Sequence, residues 1–419
     1  MKMGRKLRVA IDCRITDSRQ GVGTAVLALA KAFSNSNISN QEYTFVVRGE
    51  LHDWLAPYVG GPCRLAVIPE SATSKVKAKL RWLTPLRFIW HRARGSMAYV
   101  PVSDGYVESQ QFDVVHFPTQ IAYLTDLPSI YQPHDLQHLH YPQFFSKVDF
   151  DLREREYRAF CDQASFVCVH AEWTKQDVIR QYGIPAKKVV VVPWGSVFDA
   201  YKHPSPEEAL VIAKKYSLPE RFFFYPAVTW PHKNHENIIR ALNILKANHG
   251  RTPNVLFTGT STDFRSTLDG IARKLGVMEQ LRYLGFVTPA ELQVIYRAAT
   301  AMVYASKFEG FGLPILEAFQ AGLPVLSSSA SVLPEIAQEG ALYFDPNSPV
   351  ELAVLMGSIL DNHELRQGLI EKGTRVLSRY SFSNTVASFQ DLYERSVVWP
   401  SHQEAAGARH AERSSNVLN

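Results

Sequence analysis

Short apolar runs alternate with segments of helical periodicity along the chain. This alternation predicts βαβ units, and hence parallel sheets covered by helices. In the first half it predicts strands at 7–11, 43–47, 114–117, 129–132, 165–169 and 189–192, and helices at 24–33 and 172–182. The second half restarts the scheme, with strands at 222–225, 255–257, 281–284, 301–304 and 325–326, and helices at 235–248, 266–275, 289–298, 350–361 and 363–378.

The restart predicts two doubly wound domains, with ligand sites at the carboxyl ends of their strands. A length of 419 residues also exceeds what one ordinary core supports. A polar stretch containing Pro204 and Pro206 separates the halves, so we assign 1–198 to the first domain and 199–380 to the second. A further helix is predicted within 381–400. The polar tail 401–419 has little to bury and is predicted to be disordered.

Composition narrows the class of protein. Hydrophobic residues at 46% and charged residues at 20% are typical of a soluble globular enzyme. The cysteines are scattered without a C-x-x-C pair, which favours free thiols in a reducing cytoplasm. No secretory signal and no apolar run of about 20 residues is apparent, so we expect a cytoplasmic protein. A net charge of +5 is too small to predict nucleic-acid binding.

Basic charge is concentrated in the segment 74–94, which has seven Lys and Arg residues, no acid, and interleaved Leu, Phe and Trp. Such a segment can lie on an anionic membrane surface. It can equally be a helix whose apolar face packs on its own domain. The first alternative predicts a peripheral protein on the cytoplasmic face of the inner membrane.

The segment 308–345 contains the most specific chemistry in the sequence. Glu309 and Glu317 have seven residues between them, and glycines 310 and 312 form a turn before Pro314, which suits the start of a helix. Glu317 is expected in the first turn of that helix. Exposed N–H groups at a helix start favour phosphate, and carboxylates accept hydrogen bonds from hydroxyl groups. Together they describe a sugar nucleotide, although an ordinary strand–turn–helix connection remains the alternative.

The order of motifs around this loop is more specific than the loop alone. TAMVYAS precedes it, Gly322 and Pro324 lead to an apolar strand, and LPE (333–335) and YFDP (343–346) follow. This run resembles the donor-binding region of the retaining glycosyltransferases of family 4, which have the GT-B fold. The resemblance implies an α/β protein of two Rossmann-like domains facing across a cleft, with the helix of 381–400 returning to the acceptor-side first domain.

The resemblance also implies roles for residues of the loop. Glu309 would bind hydroxyls of the donor sugar and Glu317 the ribose. The donor diphosphate would lie on the backbone of four residues, namely Gly310, Phe311, Gly312 and Leu313. Transfer would need no metal, no cofactor and no side-chain nucleophile.

Lys233 lies in PHKN, just after a predicted strand, and resembles the P-x-K-N element whose Lys binds the donor diphosphate. A solvated Lys at a helix start is the alternative. Many relatives have an Arg about five residues earlier, where this chain has Val228. His232 or His235 could compensate for that missing charge.

Five further residues, in three parts of the sequence, join the candidate site through the resemblance. Gly21 and Gly23 follow the first strand, where a plain turn is the alternative to a loop facing the diphosphate. The pair His134 and Asp135 resembles an element near the reacting sugar, and a buried loop histidine satisfied by the backbone is the alternative for His134. There His134 would bond a sugar hydroxyl or a phosphate, while Asp135 would orient the imidazole or the acceptor. Phe286 follows the strand 281–284, where relatives hold the nucleotide base.

A metal site is not expected. The spacing of His134, His138 and His140 does not fit one helical face, and no thiol or carboxylate cluster joins them. Asp149 and Asp151 form a D-x-D string, which we interpret as carboxylates at a helix start rather than as metal ligands.

The sequence thus predicts a retaining glycosyltransferase, with transfer from GDP-mannose favoured, acting on a glycan or polyprenyl-linked acceptor in surface polysaccharide assembly. A glycoside hydrolase could use Glu309 and Glu317 but would leave the anion-binding loop and Lys233 unexplained. A phosphorylase would need a Lys anchor for pyridoxal phosphate, which nothing marks. A degenerate GT-B scaffold, a membrane-associated partner in a glycan assembly complex, remains the alternative because of Val228.

Overall fold

Two parallel sheets form the framework of the protein. A computed structural model describes residues 5–14, 21–37, 40–68, 100–250 and 253–398. The basic segment 74–94 and the tail 401–419, for which membrane contact and disorder were predicted, lie outside the described residues. No helix of the described residues is long and apolar enough to cross a membrane.

The first sheet has the strand order β3-β2-β1-β4-β5-β6-β7. Its strands are β1 Leu7–Asp12, β2 Gln41–Arg48, β3 Cys63–Ile68, β4 Val114–Phe117, β5 Ser129–Tyr131, β6 Phe166–Val169 and β7 Val189–Val191. The accompanying α-helices are Gly21–Ser34, His52–Leu55, Tyr106–Ser109, Gln137–His140, Lys147–Gln163 and Glu172–Tyr182. Every residue of β4 and β6 is buried, as expected for central strands covered on both faces.

The second sheet has the order β10-β9-β8-β11-β12-β13. Its strands are β8 Phe222–Pro226, β9 Asn254–Thr258, β10 Leu281–Tyr283, β11 Ala301–Tyr304, β12 Val325–Ser328 and β13 Ala341–Phe344. The helices are Pro206–Lys215, His235–His249, Phe264–Lys274, Pro289–Ala298, Leu313–Gln320, Leu333–Ala337, Pro349–Asp361 and His363–Leu377. The predicted boundary near residue 199 falls between β7 and β8 and stays a prediction.

The last described helix, Phe382–Val398, packs against the first sheet although it follows the second in sequence. The Phe389 ring lies 4.6 Å from the His116 ring of β4, and the Tyr393 hydroxyl lies 2.8 Å from His116 Nδ1. Gln41 Nε2 donates to the Glu394 carboxylate from the start of β2. Residues from the end of the chain thereby complete the core of the first half.

Candidate active site

The crevice between β8 and β11 is where the fold predicts a ligand. In open α/β sheets, ligands bind outside the carboxyl ends of the strands where the strand order reverses. In the second sheet β9 lies beside β8, and β12 lies on the far side of β11, so the reversal falls between β8 and β11. Lys233 follows β8 and Glu309 follows β11. The structure therefore brings these two predicted residues to one crevice.

Lys233 and Glu309 form an ion pair in this crevice. Lys233 Nζ donates to Glu309 Oε1 at 2.5 Å, and the two side chains are 20% and 13% exposed. Burial disfavours the charged carboxylate, but the charge of Lys233 and the hydrogen bonds from Lys233 and Ser306 together outweigh burial and hold the pKa of Glu309 below its ordinary value. Glu309 is thus a carboxylate at neutral pH, next to a cation that a diphosphate could share.

The backbone at Lys233 is fixed by its neighbours. Asn234 has a left-handed φ of 59°, a conformation that Asn tolerates better than most residues. Its Nδ2 donates to the carbonyls of Ala305 and Pro346, at 3.0 and 2.7 Å. The Tyr225 hydroxyl donates to the Lys233 carbonyl at 2.8 Å. These bonds join the ends of β8 and β11 and hold the ammonium group in the crevice.

The loop after Glu309 leads into the helix Leu313–Gln320. The N-cap residue is Gly312, with a φ of 102°, and it has no side chain with which to cap the helix. The first N–H groups of the helix therefore have no side-chain cap there and are suited to an anion. The loop itself is fixed by Ser331, whose Oγ accepts from Glu309 N at 3.0 Å and donates to Glu309 O at 3.1 Å.

Glu317 has an environment opposite to that of Glu309. The helix begins at Leu313, so the expected position of Glu317 in its first turn is wrong; it lies in the second turn, on the buried face. Burial raises the pKa of Glu317 to about 7, although the Tyr296 hydroxyl donates to its Oε2 at 2.6 Å. Two carboxylates of one motif thus have pKa values moved in opposite directions, an arrangement common at functional sites.

The first domain reaches the same region through its first helix. Gly21 and Gly23 lie in the first turn of Gly21–Ser34. The neighbouring Thr24 is hydrogen-bonded to the Tyr201 hydroxyl, and Tyr201 lies within electrostatic range of Glu317. The expectation that these glycines face the diphosphate stays a prediction.

The two aromatic candidates lie in different environments. Phe286 is 61% exposed just after β10, where it is free to contact a ligand. Phe311 is buried, and its ring lies 5.8 Å from that of His170 and 6.3 Å from that of Trp194. The side chain of Phe311 thus belongs to the core, and its backbone is the part suited to a diphosphate.

His134 and Asp135 directly contact the loop of residues 310–313, which we call the donor loop. A Cβ added at Gly310 would lie 2.4 Å from the His134 carbonyl oxygen and 3.0 Å from Asp135 Cβ, so glycine permits this approach. Asp135 Oδ1 accepts from Gln137 N at 2.9 Å, a backbone contact in place of the expected one with the imidazole, and its other expected role, to orient the acceptor, stays a prediction. The His134 ring instead lies between Pro118 O and His170 Nε2, each 3.2 Å away.

Other contacts that join the two halves were not predicted from the sequence. The Glu335 carboxylate accepts from Glu172 N and Trp173 N, at 2.7 and 2.8 Å. It thereby caps a helix whose own N-cap residue makes no side-chain hydrogen bond. Thr174 Oγ1 donates to Gly310 O at 3.2 Å. The start of the helix Glu172–Tyr182 thus packs on the donor loop.

The imidazoles near Val228 do not replace a cation. Burial lowers the pKa of His232 and of His235 to about 3, with the charge of Lys233 adding to the effect. Both rings are therefore neutral at pH 7 in the absence of a nucleotide, and neither supplies the missing positive charge there. Lys233 carries the cationic charge in the contacts described at this crevice.

Metal binding has no obvious ligands in this part of the protein. No group of three or more His, Cys, Asp or Glu residues among the described positions is placed to hold a metal ion. Asp149 lies in the first turn of Lys147–Gln163, where its N–H is capped by Ser146 Oγ. Asp151 pairs with Lys147 at 2.9 Å. The D-x-D string is therefore part of a helix start, as predicted.

Comparison with known families assigns both halves of the chain. The model of the glycosyl transferases group 1 matches residues 211–376, and that of glycosyltransferase family 4 matches residues 19–196. Together the matches cover more than half of the protein. The fold and the donor loop define a glycosyltransferase of the GT-B class. The chain belongs to the group 1 glycosyltransferases, with a family 4 domain in its first half, and this confirms the predicted family and enzyme class.

Relatives in sequence are bacterial sugar transferases. The chain is 27% identical over 266 residues to the O-antigen chain mannosyltransferase B of Escherichia coli, covering 62% of this chain and 68% of that protein. It is 26% identical over 252 residues to the O-antigen chain mannosyltransferase RfbU of Salmonella typhimurium, covering 60% of this chain and 65% of that protein.

Solved structures confirm the predicted fold. Anabaena Alr3699/HepE, solved in complex with UDP and glucose, has a TM-score of 0.68 at 16% identity. The match covers 93% of this chain and 100% of that one. WaaG, a glycosyltransferase involved in lipopolysaccharide biosynthesis, has a TM-score of 0.62 at 16% identity, covering 92% of this chain and 99% of that one. The GT-B fold is therefore shown.

Proposed function

We propose that the protein transfers a sugar, with mannose favoured, from a nucleoside diphosphate sugar to a glycan or polyprenyl-linked acceptor in surface polysaccharide assembly. The observation that carries the proposal is the pairing of Lys233 Nζ with Glu309 beside the uncapped start of Leu313–Gln320. A cation, backbone N–H groups and a carboxylate together suit a diphosphate joined to a hydroxyl-bearing sugar.

Stabilisation of the leaving group is the catalytic task that these residues suit. Sugar transfer builds negative charge on the departing diphosphate, and preorganised donors aimed at that charge stabilise the transition state. In the proposal, Lys233 and the N–H groups of 310–313 supply these donors without a metal. Glu309 binds hydroxyls of the donor sugar, and Glu317 binds the ribose.

Retention of anomeric configuration is part of the proposal. The acceptor hydroxyl attacks the face from which the diphosphate departs, and a donor phosphate oxygen takes its proton, so no side-chain nucleophile is needed. The close contact of Gly310 with His134 supports a reaction between the two halves, where closure excludes water that would hydrolyse the donor.

Mannose is favoured because the relatives described above include two O-antigen mannosyltransferases. GDP-mannose is therefore the first donor to test. UDP-glucose is the second, because Alr3699/HepE has also been solved in complex with it. In the proposal, Phe286, whose ring is exposed just after β10, contacts the base of the nucleotide.

A lipid-linked acceptor would suit a protein held at the cytoplasmic face of a membrane. The basic residues at 75, 77, 79 and 81 are the proposed contacts with anionic lipid. Co-sedimentation with phosphatidylglycerol vesicles should fall when these four are changed to Gln. Equal binding by both forms would remove membrane contact from the proposal.

Turnover tests the proposal directly. Release of nucleoside diphosphate should be measured with GDP-mannose and UDP-glucose for the wild type, Glu309→Ala and the control Glu364→Ala, which changes an exposed glutamate far from the crevice in sequence. We expect turnover in the wild type and the control and its loss in Glu309→Ala, with a product of retained configuration by NMR. A folded wild type that neither turns over nor binds a nucleotide would favour the scaffold interpretation.

A further inference from the structure

A buried chain of side chains ends at His134, beside the donor loop, and its other members have no part in the proposed mechanism. It runs from Tyr393 through His116 and Gln132 to His170, and then to His134. All of these side chains lie in the core of the first half, and His134 is the one whose backbone contacts Gly310. Its end is thus beside the proposed diphosphate site.

The tautomer of His170 follows from its partners. His170 Nδ1 lies 2.9 Å from the Val192 carbonyl oxygen, so Nδ1 must carry the proton and donate. His170 Nε2 is then an acceptor, and the Gln132 side-chain amide lies 3.3 Å from it, in place to donate. His170 Nε2 therefore presents no N–H group to His134, and its one lone pair faces both the Gln132 amide and His134 Nδ1.

His134 faces two acceptors but has one proton while it is neutral. Its Nε2 lies 3.2 Å from the Pro118 carbonyl oxygen, and its Nδ1 lies 3.2 Å from His170 Nε2. A neutral imidazole can donate to one of these, so the other contact sets two lone pairs against each other. An imidazolium has two N–H groups and would donate to both. Both contacts of the His134 ring are hydrogen bonds only when His134 binds a second proton.

Burial opposes that second proton in the free protein. It lowers the pKa of His134 to about 4. The titratable groups around the two rings are the His116 imidazole beyond Gln132, the Cys168 thiol 3.8 Å from Gln132 Nε2, and Asp135, which lies within electrostatic range of the Lys233–Glu309 pair. An anion placed on the loop at Gly310 would act on His134 from close by and favour its charged form.

We propose that His170 is a positioning residue for the transferase, and that the acceptor it presents lets His134 take up a proton from solvent when the anionic nucleotide binds. The inference rests on the proposed function. The proton adds an N–H bond at His134, and no bond to the nucleotide forms. The resulting imidazolium adds to the positive charge of Lys233 on the side of the leaving diphosphate.

Calorimetry in buffers of different ionisation enthalpy counts this proton. GDP, UDP, ADP and dTDP should be titrated into the protein at pH 6.5 in PIPES, HEPES and Tris, because the slope of apparent enthalpy against buffer enthalpy gives the protons taken up. The variant His170→Phe keeps a ring against Trp194, whose ring lies 3.9 Å away, and removes the acceptor. His203→Gln, which changes an exposed histidine bonded to Gln293, is the control.

We expect net proton uptake in the wild type and in His203→Gln, and at least a twofold lower uptake in His170→Phe. Glu317 is present in all three proteins, so its own titration cancels in the comparison. A merely structural role for His170 would weaken nucleotide binding and leave the proton count unchanged, which would overturn the inference. If His170→Phe does not fold, His134→Asn replaces it, since Asn tolerates the left-handed φ of 63° at this position.

Nucleotide binding without any uptake in the wild type would overturn the inference and leave the proposed function standing. Failure of all four nucleotides to bind the folded wild type would overturn both. The two failures are therefore distinguishable in one set of titrations.

Discussion

Replacing Glu317 by Gln should make the protein more stable than the wild type at alkaline pH, while weakening nucleotide binding. The native state binds the Glu317 proton more tightly than the unfolded chain does, because burial raises the pKa of Glu317 from 4.5 to about 7. The resulting stability is present below the unfolded-state pKa and is lost as the pH rises to about 7. At about 1.4 kcal/mol per pKa unit, this loss is about 3.5 kcal/mol. Gln is neutral throughout and does not incur it.

The assay is urea denaturation of the wild type and Glu317→Gln at pH 5 and pH 8. The stability of the variant relative to the wild type should rise by about 2 to 3 kcal/mol between these pH values. Its amide oxygen can still accept from the Tyr296 hydroxyl, so that hydrogen bond is retained. A relative stability independent of pH, or one that falls as pH rises, would refute this account of the Glu317 environment.

Glu309→Gln is the matched control from the same motif, and its effect should have the opposite sign. The pKa of Glu309 is lowered beside Lys233, so its charged form adds stability above the ordinary pKa of 4.5, and this is lost as pH falls through the folded-state value. The variant should therefore be less stable than the wild type at pH 8 by about 1 to 3 kcal/mol, the cost of leaving a buried hydrogen-bonding group without its partner. If the stability of both variants relative to the wild type changed with pH in the same direction, the environments of Glu309 and Glu317 would not differ as described.

Three further substitutions test separate parts of the site. Lys233→Met should weaken nucleoside diphosphate binding by about 10- to 100-fold in calorimetry, the loss expected for one charge-assisted hydrogen bond; unchanged affinity would remove Lys233 from the diphosphate site. Gly310→Ala places a Cβ 2.4 Å from the His134 carbonyl oxygen, so the melting temperature and the turnover should both fall. A wild-type melting temperature and wild-type turnover in Gly310→Ala would contradict the close contact between Gly310 and His134. Phe286→Ala should weaken nucleotide binding by about 10-fold if its ring stacks on the base, with unchanged melting because the side chain is 61% exposed; unaltered binding would exclude a stacking role.

The sequence was sufficient for the parts of the fold that depend on local pattern. The restart of strand and helix periodicity after β7 matches the change from one sheet to the other. The helix Glu172–Tyr182 was predicted with the bounds that it has. The turn at Gly312 and the strand-to-helix corner at Lys233 were also found, because glycine, proline and asparagine have specific effects on the local backbone.

Elements and contacts that depend on distant residues were missed. The strands β3 and β13 were not predicted; both lie at sheet edges and are only partly buried, although the other two edge strands, β7 and β10, were predicted. The position of Glu317 depends on Tyr296, which is 21 residues away, and the pairing of His134 with His170 spans 36 residues. The capping of Glu172–Tyr182 by Glu335 spans 163 residues. Such contacts are set by tertiary packing, which no window along the chain displays.

The central claim is that a nucleoside diphosphate binds in the crevice between β8 and β11. Calorimetric titration with GDP, UDP, ADP and dTDP, with and without EDTA, tests it most directly for the wild type and Glu317→Ala. The account predicts that one nucleotide binds selectively, that binding survives EDTA, and that it weakens in the variant. Failure of every nucleotide to bind the folded wild type, or equal affinity in Glu317→Ala, would contradict it.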